Sequence, residues 1–423
     1  MRGWKYLLAP LLLALLLLGC QYTPTEKEER TVSELTSNMR TWGLGRFLVD
    51  VPSQWRYGEG ESLTLYYGLD KDFETVEVTV FAQDVTQAVF AATLTERVAR
   101  IGRGTNYETN GSMLELEQKL GERALLLRYS QSTLGGGART HEMHLLVDDV
   151  YLMLKKESYE GIKGIPKTKT RNQVDADLKE LAAQIHKVTD IARAGPGFVF
   201  GPIIIQGHHD HEVATIDFYD PQRLDMTFEV GISAMTPDSD ERLLQRGKMF
   251  MPMFEGNGSD LDTLRKGKRE IAGMKAEEQL IAAGWRDQSG EAVRGVLFAA
   301  ETYRPTPGLL QPTFSLKLDA LGEKTWKSDA ELAGAPQRML GYSTLPDFAS
   351  ESRSTIDESP PMKPSMTEYE ATAVWDAILK SIRPRPGAVA SPSPPPEPPR
   401  YPRDKAQADQ RALDAFLSTP HKK

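Results

Sequence analysis

The chain has 423 residues, of which 40% are hydrophobic and 26% are charged, and its formal net charge is −8 at pH 7. This composition excludes a mainly disordered polypeptide and provides enough chain for two folded domains. The acidic balance and the lack of a strongly basic block exclude nucleic acid as an expected partner, because binding to a phosphate backbone depends on clustered Lys and Arg.

Residues 1–19 have the pattern of a cleaved export signal. Arg2 and Lys5 precede an apolar stretch, LLAPLLLALLLL. At about twelve residues it is shorter than the roughly twenty that span a bilayer. The stretch ends in LLGC, which resembles a bacterial lipobox, whose cysteine is acylated and becomes the first residue of the mature chain. We therefore predict lipidation at Cys20, with fatty acids such as palmitate. The alternative is an ordinary secreted protein with an incidental cysteine.

Cys20 is the only cysteine of the chain, so the folded part cannot contain an intramolecular disulfide. Two or three acyl chains on one residue anchor a protein stably. Gln21 follows the cysteine, where similar lipoproteins that stay in the inner membrane have an aspartate. We therefore expect a periplasmic protein that is lipid-anchored to the outer membrane.

The two ends of the chain lack the pattern of a packed core. Residues 20–40 are polar without sustained apolar periodicity, which predicts a flexible tether with a reach of about 25 Å. Residues 386–423 include PSPPPEPPRYP, which favours extended polyproline conformations and predicts a disordered tail.

Between these ends, residues 41–191 and residues 192–385 repeat one order of elements: strands, helix, strands, helix. Strands joined by tight turns, as at 120–122 and 273–275, predict antiparallel pairing. We therefore predict an α+β fold of two domains, each a mostly antiparallel sheet covered by helices. The shared order also raises an internal structural duplication as an expectation. The predicted helices are 86–101, 174–188, 239–254 and 366–382.

The last of these helices has one apolar face. Val374, Trp375, Ile378, Leu379 and Ile382 recur at helical spacing, so we expect this face to be buried against a sheet. Pro384 should end the helix.

One polar cluster suggests metal chemistry. His208, His209 and His211 flank Asp210, and such side chains bind zinc or copper. Consecutive residues rarely converge on one tetrahedral centre, however, so we favour a solvent-exposed turn between two strands. His141 and His144 stand three positions apart in a strand-like run, which places them on opposite faces.

Catalytic patterns are missing from the sequence. Neither GYSTL (341–345) nor GISAM (231–235) completes the G-x-S-x-G motif of serine hydrolases. No glycine-rich loop is followed by the Lys-Ser or Lys-Thr of a phosphate-binding motif. We predict no catalytic residue and no cofactor.

Three stretches together resemble one protein family. They are GRFLVDVP (45–52), REIAGMKAEE (269–278) and AVWDAILKSIRPRP (373–386). They are similar to the lipoprotein immunity proteins that protect bacteria with type VI secretion from phospholipase effectors, the Tle cognate immunity proteins of the fourth series. The resemblance implies a non-catalytic protein whose two domains clamp a phospholipase effector in the periplasm.

Two glycine- or proline-bearing hairpin tips, 135–139 and 304–311, are the regions in which we expect contact with such a partner. The candidate contact residues are Gly136, Arg139, Arg304 and Leu309. Two other classes of function stay open: a non-catalytic envelope scaffold lipoprotein, and a periplasmic metal-binding lipoprotein that uses the His208–His211 cluster.

Overall fold

The fold was analysed in a computed structural model. It describes residues 22–58, 62–67, 74–160, 169–207, 209–234, 242–246, 260–286, 290–303, 308–322 and 363–389.

Four helices of eight or more residues lie in these ranges: α1 (Glu26–Ser37), α2 (Gln87–Arg103), α3 (Arg171–Ala182) and α4 (Glu368–Ser381). Each begins after a threonine whose hydroxyl accepts a hydrogen bond from the backbone N–H three residues later. In α1, α3 and α4 a Glu or Gln at that later position bonds back to the threonine N–H, which completes a capping box. No helix in the described ranges is both long and apolar enough to cross a membrane.

The strands are numbered in chain order. Those of the first half are β1 (Met39–Gly45), β2 (Phe47–Pro52), β3 (Arg56–Tyr57), β4 (Ser62–Tyr67), β5 (Glu74–Ala82), β6 (Thr105–Asn106), β7 (Gly111–Ser112), β8 (Leu114–Lys119), β9 (Ala124–Ser130), β10 (Ala138–Val147), β11 (Val150–Tyr159) and β12 (Ile185–Lys187). Those of the second half are β13 (Phe198–Phe200), β14 (Ile203–Ile205), β15 (His211–Asp220), β16 (Arg223–Ser233), β17 (Asp260–Ile271), β18 (Met274–Arg286), β19 (Ala292–Thr302), β20 (Thr313–Ala320) and β21 (Arg383–Pro384).

A large antiparallel sheet runs through both halves. Its order is β8-β9-β10-β11-β5-β4 in the first half and β15-β16-β20-β19-β18-β17 in the second. Read outward from the centre, the strands of each half follow the same sequence of connections. The halves meet where β4 pairs with β15, from Leu63 opposite Ala214 to Tyr66 opposite His211. The predicted α+β fold with mostly antiparallel sheets is confirmed, whereas the duplication stays a prediction.

A second, six-stranded sheet exchanges strands between the halves, in the order β12-β14-β13-β1-β2-β21. β12, which follows α3 of the first half, pairs with β14 of the second. β21, which follows α4 of the second half, pairs with β2 of the first. The predicted division at residues 191 and 192 therefore separates two segments that backbone hydrogen bonds join in both sheets.

The main core includes residues from both sheets and from the closing helices. The predicted apolar face of α4 is confirmed, because all five of its residues are at most 3% exposed. The helix ends at Ser381, before Pro384. On the opposite face of the first half's sheet, α2 covers a smaller core that includes Phe90 and Tyr151.

The prediction of a flexible tether over 20–40 was wrong for residues 22–40. Glu26–Ser37 forms α1, which packs against α4 and buries Leu35 to 1% exposure. The Tyr22 hydroxyl donates to Glu28, and this bond lowers the pKa of Glu28 to about 2. One buried leucine and a capping box are therefore enough to stabilise α1, because α4 supplies the surface against which it packs.

Other predicted bounds also change. The helix predicted over 174–188 ends at Ala182, because Ile185–Lys187 pairs as a strand. The tail predicted to be disordered from residue 386 is ordered to residue 389, and Ala388 is 2% exposed. Of the helix predicted over 239–254, only 242–246 is described, and 243–246 is helical. The signal, Cys20 and residues 390–423 lie outside the described residues.

Candidate functional site

A buried ionic cluster joins the two halves of the molecule. Arg46, in the turn between β1 and β2, donates from Nη2 to Oε1 of Glu212 on β15 at 2.6 Å. Oε1 of Glu212 also lies 2.5 Å from Nε2 of His209. All three residues are at most 5% exposed. Because a buried charge is costly unless it is paired, loss of one member of this cluster would destabilise the junction between the halves.

The C-terminal segment closes the same junction. Arg46 Nη1 donates to the carbonyl oxygen of Ala388 at 2.6 Å. Arg385 donates to the carbonyl oxygens of Gly195 and Gly197, each at 2.6 Å. Residues 385–388 therefore bridge the first hairpin and the start of the second half.

The same geometry places His209 inside the buried ionic cluster. We expected a solvent-exposed turn, and this was wrong for His209, which is 1% exposed. Its Nε2 faces Glu212 and lies 3.4 Å from Nη2 of Arg46. A metal ion bound to this nitrogen would therefore be repelled by the positively charged guanidinium group. His208 is not among the described residues, and His211 is partly exposed. In the described part of the chain, no three His, Cys, Asp or Glu residues are grouped to hold a metal ion.

A second polar network has the connectivity of a catalytic triad. Nδ1 of His141 on β10 lies 2.6 Å from Oδ1 of Asp175, and its Nε2 lies 2.8 Å from Oγ of Ser158. A catalytic serine must reach a substrate carbonyl, but Ser158 is 1% exposed. Asp175 also accepts from Arg128 at 2.8 Å. These bonds fasten α3 to the sheet, and the Ser158 hydroxyl of this network is not accessible to a substrate.

The opposite face of β10 carries a third network. Glu142 is fully buried, and its oxygens accept from Arg97 of α2 at 2.5 Å and from the Tyr129 hydroxyl at 2.8 Å. Burial alone would raise the pKa of Glu142, but hydrogen bonds from His144 and Arg97 hold it well below its usual range. The prediction that His141 and His144 face opposite sides of the strand is confirmed.

Sequence reasoning did not find these networks. The available signal was HEMH (141–144), three polar side chains directly before the apolar LLV in one strand. Polar residues on both faces of a strand indicate that polar partners lie on both sides of the sheet.

In the hairpin tip at 135–139, Arg139 makes its hydrogen bonds to other groups of the same chain. Nε of Arg139 donates to Oε1 of Glu115 at 2.5 Å, and its Nη1 donates to the carbonyl oxygen of Gly136. The side chain is 8% exposed, whereas Gly136 is exposed. Arg139 therefore stabilises the tip and does not present its charge to a partner. In the other predicted tip, Arg304 is outside the described residues, and Leu309 is partly exposed.

A second loop packs against the 135–139 tip. The backbone N–H of Tyr107 donates to the carbonyl oxygen of Thr133 at 2.7 Å. Oε2 of Glu108 accepts from the N–H of Gly136 at 2.8 Å. Tyr107 is 65% exposed and Leu134 is 80% exposed. Two loops from different parts of the sequence thus form one structure with two exposed apolar side chains.

Comparison with known proteins finds a family similarity in the second half. Residues 193–338 match the model of the Tle cognate immunity protein 4 C-terminal domain. This segment is therefore similar to a Tle immunity domain. The resemblance inferred from the sequence is thereby confirmed. No curated protein matches the chain.

Solved structures extend the likeness of fold beyond residues 193–338. A chain in the crystal structure of a Tle4–Tli4 complex has a TM-score of 0.54 and 19% identity, over 83% of this chain and 99% of that one. The apo immunity protein TplEi from the type VI secretion system of Pseudomonas aeruginosa gives 0.52 and 18%, over 82% and 97%. At these identities the likeness shows the shared fold, and it includes both halves of the molecule.

Proposed function

We propose that this chain is an immunity protein that binds and neutralises a type VI secretion phospholipase effector in the periplasm. The observation that carries the proposal is the match of residues 193–338 to the model of the Tle cognate immunity protein 4 C-terminal domain. The fold of the remaining chain supports it, because the similar structures are a Tle4–Tli4 complex and an immunity protein.

The two halves suit an inhibitor that clamps its target. They are joined by strand pairing in both sheets and by the buried Arg46–Glu212 pair. A binding surface that is already rigid before association loses little conformational entropy on binding. A clamp built from both halves can also reach the 1,200 Å² or so that a stable complex usually buries.

The proposed lipid anchor would hold this body close to the membrane. Tyr22 lies two positions after Cys20 in the chain. It is hydrogen-bonded to Glu28 and contacts Tyr369, with ring centroids 6.0 Å apart. Two residues span at most about 7 Å, compared with the 25 Å or so expected of a flexible tether. Acylation of Cys20 would therefore keep the inhibitor at the surface that a phospholipase attacks, which raises its effective concentration there.

Inhibition by contact requires no reaction. The Ser158–His141–Asp175 network is buried, and its bonds to α3 assign it a structural role. We propose that the chain works without catalytic residues and without a cofactor.

Growth after co-expression tests this function. A phospholipase effector encoded beside the gene for this chain is directed to the periplasm of a test strain, with and without the chain. We expect the chain to restore growth and to co-purify with the effector. Cys20→Ser should retain binding but protect less, because the inhibitor leaves the membrane surface. Failure of the unmodified chain both to restore growth and to bind would overturn the proposal, and capture of an envelope assembly instead would favour the scaffold function.

A further inference from the structure

The two most exposed large hydrophobic side chains in the described ranges lie in contacting loops. Leu134 is 80% exposed and Tyr107 is 65% exposed, although the residues stand far apart in sequence. The loops are 105–112, which contains the β6–β7 hairpin, and 131–137, which connects β9 to β10. We name the surface of Tyr107, Leu134 and Gly136 the apolar tip.

Hydrogen bonds fix the conformation of the apolar tip. Asn106, which is 3% exposed, accepts through Oδ1 from the N–H groups of Glu108 and Thr109. The Ser132 hydroxyl accepts from the N–H of Leu134 at 3.1 Å. Together with the bonds from Tyr107 to Thr133 and from Gly136 to Glu108, these contacts order both loops before any partner is present.

Gly135 is required for this close packing. Its φ is +85°, and a Cβ atom built on it would lie 1.8 Å from Oε2 of Glu108 and 2.5 Å from Cβ of Glu108, which cannot move without the backbone. Gly136 has a similar φ of +101°, yet a Cβ atom there would meet nothing within 4 Å. The two glycines therefore provide a matched pair: both disfavour a side chain by their backbone conformation, but only Gly135 would force the loops apart.

The charged side chains beside the apolar tip are held by hydrogen bonds within the protein, although Glu108 itself is exposed. Glu108 accepts from the backbone of Gly136, and Arg139 is bonded to Glu115 and to the Gly136 carbonyl oxygen. The tip therefore presents an uncharged phenol, a leucine side chain and glycine backbone beside the exposed, hydrogen-bonded carboxylate of Glu108. Tyrosine is one of the residues that most often anchor protein interfaces, and the exposed leucine beside it adds apolar area that a partner can bury. Neither loop, 105–112 or 131–137, contains a Lys or Arg that would favour binding to an anionic membrane.

We propose that the apolar tip inserts Tyr107 and Leu134 into an apolar pocket on the effector protein. The inference rests on the proposed immunity function and deepens it, because it assigns the contact to two side chains. It also replaces Arg139 as the anchor expected in this hairpin: the arginine holds the tip in shape, and its neighbours make the contact.

The test measures binding of the mature chain, residues 20–423, to the effector encoded beside it. The variants are Tyr107→Ala, Leu134→Ala and the double variant, with Leu120→Ala as the control. Leu120 is also exposed, at 37%, but lies at the opposite end of β9, about 20 Å away at the usual rise per residue. All these side chains are exposed, so the thermal midpoint should not change.

We expect each single variant to weaken binding by about 30-fold or more, as for interface hot spots, and the control by less than about 3-fold. Gly135→Ala should weaken binding by about 10-fold, and Gly136→Ala should have a smaller effect, because pre-ordering of the loops contributes to affinity.

Three outcomes would overturn the inference. If the unmodified chain binds and the double variant binds equally well, the tip is not the contact, and the immunity function still stands. If the unmodified chain neither binds nor protects, both proposals fail. If the Cys20→Ser chain floats with phosphatidylethanolamine–phosphatidylglycerol vesicles, and this flotation is lost only when the double substitution is added, the tip contacts lipid.

Discussion

The closing helices of the two halves are attached to their sheets in different ways. In the first half, α3 turns a carboxylate inward: Asp175 is 6% exposed and bonds to His141 and Arg128. In the second half, α4 buries Trp375, whose ring centroid lies 5.9 Å from that of Phe298 and 6.2 Å from that of Phe228. Asp376, which follows Trp375 in α4, is 42% exposed and pairs with Arg265. One strand order therefore accommodates two kinds of helix attachment, because backbone pairing sets the order and side chains set the attachment.

The largest expected effect is at the apolar attachment. Trp375→Ala should lower the free energy of unfolding by about 3–5 kcal/mol, because it removes a large side chain from a site that cannot refill. Lys380→Ala, on the exposed side of the same helix, should change it by less than about 0.5 kcal/mol. Urea unfolding of both variants measures the difference, and equal values would contradict the assigned face.

The polar attachment should be nearly as sensitive. Asp175→Ala leaves His141 and Arg128 without their buried partner, and we expect a loss of about 3 kcal/mol. Asp376→Ala removes a carboxylate that water already reaches, so the expected loss is at most about 1 kcal/mol. A larger loss for Asp376→Ala in the same unfolding measurement would reverse the comparison.

Two acidic residues that face away from the main core also differ between the halves, in how their charge is compensated. Glu142 of the first half is paired, and its pKa is lowered. Asp319 of the second half is affected mainly by burial, with Glu229 and Asp217 nearby, and its pKa is raised to about 6 from 3.8. Oδ1 of Asp319 has no hydrogen-bond partner within the described ranges.

The raised pKa makes a prediction about pH. Because the folded state disfavours the charged carboxylate, stability due to Asp319 falls as the pH rises from about 4 to about 6 and then stays constant. Asp319→Asn should therefore stabilise the protein at pH 7.5. The full shift corresponds to about 3 kcal/mol, and we expect about 1–2 because solvent reaches part of the side chain. The gain should disappear near pH 4, and a gain that is equal at both pH values would exclude this cause.

Local patterns in the sequence predicted much of the fold. Alternating strands with tight turns predicted antiparallel sheets, and the spacing of Val374, Trp375 and Ile378 predicted the buried face of α4. Helix α1 was missed because it buries only Leu35 and Glu28, although the capping box of Thr25 and Glu28 was readable. The strand β12 was missed because it has three residues and pairs with β14 of the other half.

The buried pairs His141–Asp175 and Arg46–Glu212 could not be predicted, because each joins residues far apart in the sequence. His141 and Asp175 are separated by 34 positions, and Arg46 and Glu212 by 166. The hairpin tip at 135–139 was chosen from its glycines, but the partner loop at Tyr107 is defined only by the fold. A sequence pattern therefore located a tip without showing which of its side chains face solvent.

Titration of the effector's phospholipase activity with the purified mature chain tests the central claim most directly. We predict that hydrolysis falls in proportion to the added chain and stops at a fixed stoichiometric ratio, as for a tight inhibitor that acts by contact. Unchanged hydrolysis in the presence of excess chain would contradict the account. So would lipid hydrolysis by the chain alone that is lost on Ser158→Ala.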